Sequence, residues 1–172
     1  LKGPTGFTAT NLPSGLAVNA ISGLISGVTT AIGDHNVTIA ATNLAGTSAP
    51  QVLVLTIRPN VPIISDVNSS NIGGTSAVAN FDLIEDGGED AIIELFFGDN
   101  DGNVTEGNWD SNVSMYPLQA AGSLTESLTG LTVNTPYFIR ARAINSAGTA
   151  WSPNAHTFTT NAVVGPPVVA TA

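Results

Sequence analysis

The strongest constraint on this chain is a period of two. Between Val37 and Thr42 the residues Val37, Ile39 and Ala41 fall on one side of an extended backbone, and Thr38, Ala40 and Thr42 fall on the other. The alternation returns at Ala77, Ala79, Phe81 and Leu83, and again at Tyr137, Ile139, Ala141 and Ala143. No window carries an i, i+3, i+4, i+7 apolar stripe beyond two turns, so a helix would have no face to bury. Eighteen Gly and ten Pro fall mostly between the alternating runs. They punctuate turns at sites such as Pro13-Ser14-Gly15, Asp86-Gly87-Gly88, Asp101-Gly102 and Ala147-Gly148. Short strands broken this often predict an all-β chain built as two tandem β-sandwiches.

The boundary between the two follows Thr56-Ile57-Arg58, where Pro59-Asn60-Val61-Pro62 cannot continue a central strand. This gives a first domain over residues 1–58, a second over 59–160, and a tail over 161–172 that reads as the start of a further module. Leu1 follows no basic and apolar leader, so it reads as an internal start within a longer chain. Four basic residues against 13 acidic ones leave a net charge of −9, which repels phosphate backbones and anionic lipid and argues against nucleic-acid partners. The apolar runs are a handful of residues each, far short of the ~20 that a membrane-spanning helix needs, so no membrane insertion is expected. The absence of Cys removes disulfides, thiolate nucleophiles and cysteine metal sites together.

Three stretches of the first domain carry a family pattern: Phe7 to Leu16 with its Leu-Pro-Ser-Gly-Leu turn, the Ser22 to Gly27 corner, and Ala40 to Thr47 with Ala-Thr-Asn-Leu-Ala-Gly. Over residues 5–58 the chain resembles the cadherin-like Ig repeat of bacterial surface proteins, with that family's opening strands missing before Phe7. Calcium-dependent relatives hold several acidic ligands at module junctions. This segment has only Asp34, so calcium stiffening is not expected from it. In the second domain Leu128-Thr-Gly-Leu131, Asn134-Thr-Pro-Tyr137 and Phe138 to Gly148 resemble a fibronectin type III module. The resemblance implies that Tyr137 opens the penultimate strand, and that Phe81 stands in the region where the family buries a Trp. It also implies a spacer or display module without catalysis.

Ten of the 13 acidic residues lie between Asp82 and Asp110 with no basic residue among them. Within this run Asp99, Asp101, Asn103, Thr105 and Asp110 stand at positions 1, 3, 5, 7 and 12 of an EF-hand-like count, a candidate Ca²⁺ set. Val104 occupies the position that demands Gly, and the competing reading is a tight Asn100-Asp101-Gly102 turn with Trp109 anchoring the loop. No other cofactor is implied.

His35 and His156 are the only imidazoles, one in each domain, and are expected to be exposed. They offer neither a metal pair nor a nucleophile's base, and no Gly-x-Ser-x-Gly elbow or phosphate loop occurs. Lys2, the only Lys, is a poor candidate for a self-made isopeptide bond. Asn36, Asn68, Asn103 and Asn112 open Asn-x-Ser/Thr sequons. Arg140 and Arg142 alternate on one strand and are expected to pair with acids of a neighbouring strand. Trp109, Trp151, Tyr116 and Phe97 form a candidate aromatic platform for sugars, weighed against roles as core and loop anchors.

A first domain short of strands presents an open edge, and Val163-Val164 with Val168-Val169-Ala170 is strand-like without a sheet of its own. The expectation is a non-catalytic module of an extracellular or cell-surface protein: a stalk, adhesin segment or filament subunit. Its partners would be neighbouring modules or copies of itself, joined head to tail by strand complementation. The alternatives are a calcium- or glycan-binding adhesion module meeting a cell-surface glycan or protein, and an accessory region of a large secreted hydrolase.

Overall fold

The computed structural model describes residues 3–162. The chain divides into two compact units, the first ending at Pro59 and the second beginning at Asn60. Both are β, and the one helical feature among the described residues is a single 3-10 turn at Glu106–Asn108.

Unit 1 holds β1 (Gly6–Thr10), β2 (Leu16–Val18), β3 (Ile25–Gly27), β4 (Gly33–Asn43), β5 (Gly46–Thr47) and β6 (Gln51–Ile57). The eleven residues of β4 form the spine, pairing antiparallel with β1, β5 and β6, while β2 and β3 make a separate hairpin. Register places Phe7 opposite Ala41, Ala9 opposite Ile39, and Leu53 opposite Val37, so these side chains share one face. Gly15 and Gly27 are fixed by the hairpin: each has a positive φ, and a Cβ on either would strike main chain of the opposite strand at 2.0 Å or less. Val37 is the one fully buried large apolar residue of this unit among the described residues.

Unit 2 holds β7 (Ile63–Ile64), β8 (Asn68–Ser70), β9 (Ser76–Glu85), β10 (Ala91–Gly98), β11 (Ser111–Gln119), β12 (Gly122–Thr129), β13 (Pro136–Asn145), β14 (Gly148–Trp151) and β15 (His156–Thr159). One sheet sets β9 between β12 and the split strand β7/β8, and the other runs β11-β10-β13 and ends on β14 and β15. The period of two places Ala77, Ala79, Phe81 and Leu83 of β9 and Ile139, Ala141 and Ala143 of β13 in one core with Ile93 and Leu95. Phe81 is buried there, in the part of β9 where the sequence pattern places it. Tyr137 is the second residue of β13, and its hydroxyl accepts the Thr132 backbone N–H at 3.0 Å while its ring stacks on Phe158 at 5.8 Å. That bond ties the strand to the preceding turn, the corner typical of such sandwiches.

Candidate functional site

The acidic loop between β10 and β11 is closed by its own polar groups. Asp110 Oδ2 accepts the Asp99 N–H at 2.9 Å, Asp101 Oδ1 accepts the Asn103 N–H at 2.8 Å, and the Trp109 indole N–H donates to the Asn103 carbonyl at 3.3 Å. The structure therefore brings Asp99 to Asp110, and Asp101 to Asn103, through main-chain bonds. Among the described residues no three His, Asp or Glu side chains gather in a group suited to a metal ion. Trp109 is buried and faces Phe96 at 6.5 Å, so it anchors the loop.

The aromatic candidates separate. Phe97 packs against the core, Trp109 is buried, Trp151 is half-buried against Phe96 at 5.0 Å, and Tyr116 stands alone at 76% exposure. They do not form one flat platform. Alternation along β10 turns Phe96 away from the core, yet it is only 2% exposed because Trp109, Trp151 and Arg142 cover it.

Arg142 is the centre of this outer cluster. Its guanidinium lies over both the Phe96 and Trp151 rings, which also touch each other, bonds Glu94 on the neighbouring strand, and reaches Glu106 at 2.9 Å. Burial works to lower its pKa, but the hydrogen bonds to Glu94 and Glu106 outweigh that and raise it above the ordinary value. Arg140 departs from the sequence expectation: instead of an acid it takes the carbonyls of Ser152 at 2.8 Å and Pro153 at 2.6 Å. The chain leaves β13 after Trp151, and the freed carbonyls need a donor. Glu94, facing Arg142 across the strands, was visible in the sequence only as one of ten clustered acids.

Both imidazoles are half-buried rather than exposed. His35 donates from Nε2 to the Ala31 carbonyl at 2.7 Å, and His156 Nε2 shares a 2.9 Å hydrogen bond with Ser69 Oγ. Beside His156, the Asp66 carboxylate accepts the side-chain and backbone N–H groups of Asn154 at 3.0 and 2.7 Å. These two bonds, the side-chain one first, hold its pKa below the usual carboxylate value. The sequon residues Asn36, Asn68, Asn103 and Asn112 are all exposed. Lys2 and the strand-like segment from Val163 to Ala170 lie outside the described residues.

What sequence reasoning missed is the inner face of unit 1. Phe7, Val18, Ile25, Ile39 and Leu53 line an open groove of about 340 Å³, with Ala41, Ser48 and Gln51 at its margins and no charged residue in its wall. β3 pairs only with β2, and β6 only with β4, so each has one edge without a strand among the described residues. Elsewhere in unit 1 Ile21, Leu24 and Val28 are exposed, and Val52 and Val54, which alternate with Leu53 along β6, are exposed on the face opposite the groove.

These features define an all-β chain of two units, each built from antiparallel sheets. Residues 3–58 match the family model described as "Putative Ig domain". No curated protein matches the chain. Among solved structures, a computer-redesigned β-sandwich protein is 26% identical, with a TM-score of 0.40, covering 63% of this chain and 100% of its own. The chicken CNTN1 FN1–FN3 domains are 15% identical, with a TM-score of 0.45, covering 92% of this chain and 57% of that one. The sensor domain of the anti-sigma factor RsgI4 of Pseudobacteroides cellulosolvens is 18% identical, with a TM-score of 0.42, covering 65% and 95%. No helix among the described residues is long and apolar enough to cross a membrane.

Proposed function

We propose that this chain is a non-catalytic structural module of an extracellular or cell-surface protein, serving as a stalk, adhesin segment or filament subunit whose first unit is completed by a strand from outside its own sheets. The observation that carries this reading is the groove of unit 1: an uncharged apolar hollow beside sheet edges that have no partner strand among the described residues. Each valine-sized side chain brought into it would contribute roughly 1.5–3 kcal/mol, and main-chain pairing would satisfy the open edge. Unit 2 supports the other half of the reading, because its two sheets close over a continuous core and suit a spacer.

Light scattering coupled to size exclusion tests it. Self-association that weakens in Leu53→Asp, with unit 2 still folded, is the expected result. A folded chain that stays monomeric at every concentration would overturn the reading.

A further inference from the structure

Three observations narrow what fills the groove of unit 1. First, ten residues follow the described part of the chain, and Val163 to Ala172 contain four valines and no charged side chain. The groove wall is uncharged as well, so neither surface has a charge to desolvate on contact. Second, Pro166-Pro167 removes two N–H donors and confines ladder pairing beyond it to Val168-Val169-Ala170, a three-residue stretch that matches the three residues of β3, Ile25–Gly27. Third, the charges are divided. Unit 1 carries Lys2 and Arg58 against Asp34 alone, while the other twelve acids stand in unit 2 with only Arg140 and Arg142. Contact between the acidic unit of one molecule and the first unit of another is therefore favoured over contact between two acidic units.

We propose that Val163–Ala170 of a second copy of this chain occupies the groove, with Val168-Val169-Ala170 adding as a strand along the free edge of β3 and its apolar side chains meeting Phe7, Ile39 and Leu53. This rests on the reading of unit 1 as a strand-completed module and names its partner. The tail starts from Asn161, which is fixed to unit 2 by hydrogen bonds to the Gly73 and Ile72 carbonyls at 2.8 and 2.6 Å. The seven residue steps from that anchor to Val168 span at most about 23 Å, the reach available for crossing into a neighbouring molecule. The contact is heterologous, so it repeats and gives chains of molecules rather than closed pairs.

The absence of native Cys allows a direct test. Copies bearing Leu53→Cys are mixed with copies bearing Val169→Cys under mild oxidation, with Val104→Cys, exposed in unit 2, replacing Leu53→Cys as the control. The expected result is a disulfide-linked dimer from the first mixture, none from the control, and competition by a synthetic peptide of residues 161–172. A second measurement uses the chain shortened to residues 1–162, which should stop associating and should bind that peptide saturably. Association that survives this truncation would overturn the tail as occupant while leaving the strand-completed reading in place. A Leu53→Cys/Val169→Cys double variant that closes its disulfide within one molecule at high dilution would overturn the second copy as the source of the tail. Absence of both linkage and association would overturn the two together.

Discussion

The guanidinium carbon of Arg142 lies 4.8 Å from the centroid of the Phe96 ring, on the face of the sheet that points away from the core. One cation thus roofs an aromatic residue that strand alternation alone would leave in water, and Glu94 beneath it neutralises the charge. Arg142→Ala should lower the unfolding free energy of unit 2 by about 2–4 kcal/mol, since it uncovers Phe96 and leaves Glu94 unpaired in a mostly buried site. Arg142→Lys should recover only part of this, because an ammonium lacks the planar fork that stacks and binds together. Glu106→Gln removes a partner that is 61% exposed and should cost under ~0.5 kcal/mol. Urea unfolding followed by tryptophan fluorescence measures all three.

Gly102 carries the loop over Trp109. A Cβ there would lie 2.6 Å from indole atoms, and the indole is held between Phe96 and the Asn103 carbonyl. Gly102→Ala should therefore destabilise unit 2 by about 1–3 kcal/mol through overpacking, with a shift in tryptophan emission as the ring is displaced. An unchanged midpoint and spectrum would show that the loop relaxes without loss.

The contrast between Phe81 and Phe96 shows what the sequence discloses. Phe81 obeys a local rule: it alternates with polar neighbours along β9, and both its burial and its face could be read from residues 77–83. Tyr137 is similar, because its partner Thr132 lies five residues away. Phe96 breaks the alternation, since it is covered by Trp109, Arg142 and Trp151, which come from a loop and two strands lying up to 55 residues further along the chain. No window of sequence holds that information. Arg140 escaped for the same reason, as its carbonyl acceptors exist only where the chain departs from β13 after Trp151. The groove was legible only as a shortage of strands, because its wall draws on β1, β2, β3, β4 and β6 at once.

Calcium should leave the melting of the chain unchanged. Asp101 Oδ1 and Asp110 Oδ2 accept backbone N–H groups that shape the loop, and among the described residues no three His, Asp or Glu side chains gather there as ligands. Thermal melts with added Ca²⁺ and with chelator check this. A rise with Ca²⁺ that disappears in Asp101→Ala would show that the loop reorganises into a site.

Asp66 gives unit 2 a defined acid sensitivity. Its folded pKa is depressed, so the stability from the Asn154 bonds is fully present above the unfolded value of about 3.9 and is lost as pH falls through the folded pKa. Asp66→Asn should therefore flatten the dependence of the unit 2 melting temperature on pH below about 4, and should change little at neutral pH beyond the loss of one charge-assisted bond. The group is exposed, so the effect is modest and shrinks with salt. A pH series of melts of both proteins in low and high salt measures it.

The two units should unfold separately. Unit 2 encloses a continuous core that includes Ile93, Leu95 and Ile139 at 0% exposure, whereas unit 1 buries one large apolar residue, Val37, among the described residues. A domain of roughly 60 residues is marginal even with a filled core, and here a groove remains open. Calorimetry should show two transitions, the lower belonging to unit 1. Val37→Ala should remove about 1–3 kcal/mol from the lower transition alone, and Leu95→Ala about 2–5 kcal/mol from the upper alone. Because only unit 1 gains from an incoming strand, its transition should also rise with protein concentration or with the 161–172 peptide, while that of unit 2 stays fixed. One shared transition moved equally by both substitutions would contradict the division of the chain into a closed unit and an incomplete one.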